Sequence, residues 1–269
     1  MSARKVIAMV TGASAGLGAE FCRQLADRCD LIVAVARRRD RLTSLAEELA
    51  DRVELHPVTA DLTGIEGVAR TVEALRQKGP LNYLVNNAGF STFGHFAELP
   101  IDSQRDMVSL HIDATITLCS AAVPFMRERG GGHIINVSSV GAFLPGKGIA
   151  VYGATKAFLN FYSQALQAEL SGTGIEVQAL CPGLTRTEFL DVAGTHDGLA
   201  VTRTPMLSAE DVVEASLRGL ERRRLRVVTG WTNRMAVFAQ RFVPSVVPRR
   251  VAAELYRPRP RDRGRRDER

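Results

Sequence analysis

The chain has 269 residues, 45% apolar and 24% charged, proportions that exclude a disordered or fibrous protein and allow one large α/β domain or two small ones. Cys22, Cys29, Cys119 and Cys181 stand far apart with no CxxC pair, which argues against a zinc site and a disulfide framework, so no metal and a reducing compartment are expected. Of the net charge of +6, Arg257–Arg269 contributes +4 through seven Arg against three acids, leaving a nearly neutral body.

Lys5–Thr11 is an apolar, β-branched run, followed by a glycine-rich turn and a helical pattern through Phe21, Leu25 and Arg28. The alternation repeats. Strands are expected at Leu31–Ala36, Val53–Val58, Tyr83–Asn86, His133–Val137, Glu176–Leu180 and Leu225–Val228, with helices at Arg41–Ala50, Gly67–Gln77, Ser103–Arg127 and Tyr152–Ser171. Seven mostly continuous apolar strands separated by helices predict a seven-stranded parallel sheet with helices on both faces, that is, a single doubly wound α/β domain. No linker, repeat or low-complexity run precedes Arg257, so residues 1–256 form the expected domain. The Pro- and Arg-rich residues 257–269 read as a disordered tail, with contact to an anionic surface as the alternative; they lack the folded basic face of a nucleic-acid partner. Met1 leads into a strand too soon for a signal peptide, and no uninterrupted apolar run reaches the roughly 18 residues of a membrane span. A cytoplasmic protein is expected. The long connections Phe90–Pro100 and Leu184–Leu207 follow strands, at the edge where open α/β sheets bind ligands.

The first turn, Thr11-Gly12-Ala13-Ser14-Ala15-Gly16-Leu17-Gly18, gives the backbone freedom to approach a pyrophosphate at the first helix's N-terminus. Gly12–Gly16 also matches the GxSxG nucleophile elbow of α/β hydrolases, but there several strands precede the serine, and here only one does.

Tyr152 and Lys156, four residues apart, project from one face of a helix. An ammonium beside a phenol stabilises the phenolate, lowering a reference pKa of about 10 so that the tyrosine can exchange a proton with a carbonyl or alcohol oxygen. Ser139, after the strand ending at Val137, would emerge at the ligand edge, where its hydroxyl could polarise the same oxygen.

These motifs, in this order, resemble the short-chain dehydrogenase/reductase family over Val6 to about Thr187: TGxxxGxG, Asp61-Leu62, Asn86-Asn87-Ala88-Gly89, Ser139, YxxxK at Tyr152 and Lys156, and Pro182-Gly183 followed by Thr187. The resemblance implies a Rossmann fold and a nicotinamide-dependent oxidoreductase. Gly12, Ser14, Gly16, Leu17 and Gly18 would cradle the dinucleotide, Asp61 and Leu62 would contact the adenine, and Asn87, Ala88 and Gly89 would line the cofactor. Lys156 would also bind the nicotinamide ribose, Tyr152 would be a further cofactor-binding residue, and Pro182, Gly183, Thr185 and Thr187 would hold the nicotinamide end. One position departs. Where the family has an Asn holding a water on a proton path to the lysine, this chain has His111. It is expected either to join that relay, adding a pH dependence, or to be a buried neutral imidazole bonded to a backbone carbonyl.

The second strand ends at Ala36 instead of the acid that would bind both ribose hydroxyls of NAD. Arg37 and Arg38 follow and are positioned for a 2′-phosphate, with Ser14 as a further contact, so NADP(H) is the expected cofactor. Arg39 and Arg41 read as a solvated helix start. Phe90, Phe93, Phe96, Phe143, Leu144, Phe189 and Leu190 suggest an apolar pocket and thus a small apolar ketone, aldehyde or alcohol substrate. Trp231–Leu255 looks like one or two amphipathic helices that could close the pocket, pack on a second subunit or rest on a membrane surface. Relatives imply a homodimer or homotetramer. Two functions stay open, a carbonyl reductase and a non-catalytic sensor of the NADP redox state; retention of Ser139, Tyr152 and Lys156 favours the enzyme.

Overall fold

Short apolar strands need both faces covered, and the chain meets this by alternating strand and helix. A computed structural model describes residues 5–143, 145–189, 206–240 and 242. In chain order these form β1 (Ile7–Thr11), α1 (Gly16–Leu25), β2 (Leu31–Ala36), α2 (Arg39–Glu48), β3 (Glu54–Thr59), α3 (Ile65–Lys78) and β4 (Tyr83–Asn86). Then follow α4 (Ile101–Val108), a π-helical segment (Ser109–Asp113), α5 (Ala114–Arg129), β5 (Gly132–Val137), α6 (Ala150–Glu169), β6 (Ile175–Cys181), α7 (Ala209–Glu221), β7 (Arg226–Val228) and α8 (Trp231–Ala239). The seven expected strands are all present within a residue or two of their predicted ends.

They form one parallel sheet in the order β3-β2-β1-β4-β5-β6-β7. The chain runs outward from β1 to β3, then returns to place β4 on the other side of β1. At that reversal the crossover helices on either side diverge and leave a crevice at the carboxyl ends of the strands. Side chains alternate between two cores. Ala8 and Val10 of β1 pack with Phe21 and Leu25 of α1 and with Val213 and Leu217 of α7. Ile7 and Met9 face the other way, against Leu75 of α3 and Leu118 and Met126 of α5. Pro57, which cannot donate to a ladder, is tolerated because β3 is an edge strand. All four cysteines are buried and free, and burial raises their thiol pKa values to about 12.

The single helix expected over Ser103–Arg127 is a continuous helical run of three kinds. Its middle turn widens to π geometry at Ser109–Asp113, an insertion that turns the buried His111 inward and that often marks functional sites. Ile101–Arg129 is long and apolar enough to cross a membrane, but here its apolar side packs on the sheet. Leu144, Leu190, the part of the C-terminal amphipathic stretch beyond Phe242 and the Arg-rich tail lie outside the described residues.

Helix α3 approaches the turn after β3 so closely that a Cβ on Gly67 would stand 1.8 Å from the Asp61 carbonyl oxygen, whereas one on Gly64 would meet the same atom at 3.9 Å. Backbone cannot give way as a side chain does. Gly67→Ala should therefore destabilise the protein by roughly 1–3 kcal/mol or more and Gly64→Ala much less. Thermal denaturation of the two variants checks this, and equal melting temperatures would contradict the packing.

Candidate active site

The crevice is held open by a seam between β1 and β4. The Thr11 hydroxyl donates to the Val85 carbonyl at 3.2 Å and accepts the Asn87 and Ala88 amides at 2.9 and 3.0 Å. The Asn87 side chain donates to the Thr11 carbonyl at 2.9 Å. Gly12 and Gly16 have φ of +68° and +54°, a left-handed backbone that L side chains adopt at a cost. A Cβ on Gly12 would sit 2.8 Å from Asn87 Nδ2, and one on Gly18 would sit 2.2 Å from the Gly12 carbonyl oxygen. The turn thus folds directly onto the NNAG segment. Helix α1 begins with no side-chain cap and no acid in its first turn, so its amide groups and positive dipole end suit an anion.

At the far end, β5 positions the reactive side chains. Lys156 donates from Nζ to the Val137 carbonyl at 2.9 Å, and Ser138 Oγ donates to the Lys156 carbonyl at 2.7 Å, so α6 is pinned to the end of β5 on both sides of the lysine. Lys156 is 4% exposed, and burial lowers its pKa to about 7. Its Nζ lies 5.8 Å from the centroid of the Tyr152 ring. Ser139 Oγ accepts the Gly141 amide at 3.0 Å, and a Cβ on Gly141 would be 3.4 Å from that oxygen and 3.5 Å from Tyr152 Cε1. The hydroxyl and the phenol ring therefore flank one small volume.

His111 is buried, and its Nδ1 lies 2.8 Å from Thr155 Oγ1. The Thr155 hydroxyl hydrogen is already donated to the Tyr152 carbonyl, so Nδ1 carries the imidazole hydrogen and Nε2 is a bare acceptor. The partner is a side-chain hydroxyl instead of the expected carbonyl. Burial, with a smaller contribution from the Lys156 charge, keeps the ring neutral well below the usual histidine range, which removes the expected titration near neutral pH. A Cβ on Gly89 would lie 2.6 Å from His111 Nε2 and 3.5 Å from Lys156 Nζ, so both nitrogens border the same space.

At the opposite end, Ala36 closes β2. Arg37 approaches Asp61 at 3.9 Å. Arg38 donates from Nε and Nη2 to Ser14 Oγ at 3.3 and 3.2 Å and pairs with Glu188 at 3.1 Å. Arg41 is not merely solvated, since it binds the other oxygen of Glu188. No residue pattern announced this, because Glu188 is distant in sequence and reaches across only once β6 lies beside β5.

Between these ends runs one cleft of about 370 Å³. Every proposed site residue lines it except Gly18 and His111, which stand behind its wall. Of the expected apolar residues, Phe90, Phe93 and Phe189 line it, together with Leu110, Val140 and Leu184, which the sequence did not single out. Phe96 is exposed on a short helical turn, and Phe143 stacks instead beneath Arg226, 5.3 Å away. No group of acids, histidines and cysteines fit for a metal occurs among the described residues.

A short chain dehydrogenase family model matches residues 6–197. Sulfoacetaldehyde reductase 2 of Chromohalobacter salexigens is 34% identical over 216 residues, 77% of this chain and 85% of that protein. A short-chain dehydrogenase from Sphingobium yanoikuyae in complex with NADPH superposes with a TM-score of 0.79 at 35% identity, over 88% of this chain and 93% of that one. The bulky-bulky ketone specific alcohol dehydrogenase from Comamonas testosteroni gives 0.76 at 33% identity, over 88% and 92%. With the motifs in order on the matching fold, the chain belongs to the short-chain dehydrogenase family of oxidoreductases.

Proposed function

We propose that this oxidoreductase uses NADP(H) to reduce the carbonyl of an apolar ketone or aldehyde, or to oxidise the corresponding alcohol, with Tyr152 exchanging the proton. The observation that carries this reading is the convergence of Ser139, Tyr152 and Lys156 at one end of a cleft whose other end presents a glycine cradle and paired arginines. A redox sensor would need only the cradle, and nothing in the site favours that alternative. The NADPH complex of the Sphingobium relative and the ketone specificity of the Comamonas relative support the cofactor and the substrate class.

The residues suit the cofactor. Positive φ at Gly12 and Gly16 and the uncapped start of α1 fit a pyrophosphate, and Ala36 with Arg37, Arg38 and Ser14 fits a 2′-phosphate. Bound NADPH would supply the hydride. Ser139 holds the substrate oxygen, and Tyr152 gives it a proton as charge develops there. Lys156 stabilises the resulting phenolate and, held by Val137, keeps its position while its charge changes. His111 Nε2 serves as an acceptor beside the lysine for the proton path, in place of the family's Asn. Apolar walls at Phe90, Phe93 and Phe189 exclude water and select an apolar substrate. The exposed Ile116 of α5 and Phe161 of α6 support self-association into a homodimer or homotetramer, and the exposed Trp231, Met235 and Phe238 of α8 offer a second apolar face.

Tyr152→Phe should lower turnover of apolar ketones with NADPH by about 10²-fold or more while NADPH still binds; a variant that turns over normally would sink the assignment. His111→Phe, which removes the acceptor, should reduce turnover more than His111→Asn does, and equal rates in all three proteins would remove His111 from the path.

Burial pushes the Lys156 ammonium down from the ordinary lysine value of 10.5 to about 7 in the folded chain. Between these values the unfolded chain holds a proton that the folded chain has released, so stability rises with pH. The cost of burying the ammonium is complete below pH 7 and is relieved toward pH 10. Denaturant unfolding should therefore show Lys156→Met gaining on the wild type most near pH 7 and least near pH 10, and parallel pH profiles would refute the buried-charge account.

A further inference from the structure

Arg38 is the N-cap residue of α2 and Arg41 lies in its first turn, three positions apart and so on one side of the helix. Their guanidinium groups converge on a single carboxylate. Glu188, from the opposite wall of the cleft, accepts Arg38 Nη1 on Oε2 at 3.1 Å and Arg41 Nη1 on Oε1. The remaining Arg38 donors take up Ser14 Oγ. Two guanidinium groups around one anion, with the Ser14 hydroxyl held beside them by Arg38, form a donor set that recognises a phosphate monoester. Arg37 also lines the cleft and lies 3.9 Å from Asp61, whereas Arg38 and Arg41 are the two arginines after β2 that share one carboxylate.

The three charged side chains are each about 42% exposed. Pairs so exposed are screened by solvent and contribute little, so a dianion can exchange with the carboxylate. Both arginines hold the Glu188 carboxyl below the usual carboxylate range, so it is ionised at neutral pH.

We propose that Glu188 is an internal anion that occupies the Arg38–Arg41 pair until the 2′-phosphate of the dinucleotide displaces it, and thereby sets how strongly this chain discriminates NADP(H) from NAD(H). The inference rests on the NADP(H) reading above. It assigns Arg41 to the phosphate site and gives Glu188 an effect opposite to that of a cofactor ligand. The 2′-phosphate must compete with this carboxylate and then sit beside it, whereas a dinucleotide lacking that phosphate leaves the bridge intact.

Calorimetric titration with 2′,5′-ADP and with 5′-ADP isolates the phosphate from the chemistry. In Glu188→Gln, the ratio of 2′,5′-ADP to 5′-ADP affinity should rise about two- to fivefold over wild type, a modest change as expected for the loss of a weak, exposed competitor, and the rise should shrink as salt is added. In Arg41→Gln the same ratio should fall. A ratio unchanged in Glu188→Gln, including one left unchanged because both probes weaken together as a simple strap would require, overturns the role of Glu188. A ratio insensitive to Arg41→Gln overturns the role of Arg41. If the wild type itself does not prefer 2′,5′-ADP, the cofactor reading fails and this inference fails with it; if it does and Glu188→Gln changes nothing, only the inference fails.

Discussion

Parallel pairing of β1 with β4, two strands about seventy residues apart in the chain, is the constraint on which the rest of this molecule depends. It reverses the direction in which strands are added, and the crevice at their carboxyl ends follows from that reversal. The Thr11 hydroxyl fixes the registration, because it gathers two amides of the segment after β4 and returns its own hydrogen to Val85. Once the strands are locked there, the glycine turn after β1 and the NNAG segment after β4 lie too close for any Cβ between them. Glycine at positions 12 and 18 is therefore a steric requirement of the seam as much as of the ligand.

A second buried polar chain secures the reactive end. Asn86 on β4 donates to Asn136 on β5 at 2.8 Å, Asn136 donates to Ser163 on α6 at 2.9 Å, and Ser163 donates to the Leu159 carbonyl. Directional bonds of this kind fix the rotation and height of α6 more narrowly than apolar packing does. The chain can then bury the Lys156 ammonium against the Val137 carbonyl, an arrangement that costs stability and puts the charge where a phenol needs it. The widened helical turn at Ser109–Asp113 belongs to the same economy of position, since it brings His111 to the far side of Gly89.

The two ends of the cleft ask for different physics. Around Lys156 the environment is dry and charges are few, so a small displacement has a large electrostatic effect. Around Arg38 and Glu188 solvent is near, each ion pair is weak, and selectivity comes from competition between anions.

Much of this was legible in the residues themselves. Continuous apolar strands separated by helices specify a two-sided parallel sheet by pattern alone, and TGxxxGxG, NNAG, Ser139 and YxxxK carry their spacing wherever they fold. Such features are local, set by backbone geometry over a few residues. The features that escaped are relations between distant segments. The neutrality of His111 depends on burial and on Thr155, forty-four residues away, and the involvement of Arg41 depends on Glu188, 147 residues away. Phe143 was misread because a phenylalanine after a strand can face either the cleft or a neighbouring arginine, and only packing chooses. The sequence by itself determined the fold class and the reactive groups, because periodicity and motif spacing are encoded within single elements. The tertiary structure alone decided which charges meet, since ionisation and pairing depend on desolvation and distance, which exist only once the sheet has brought its strand ends together.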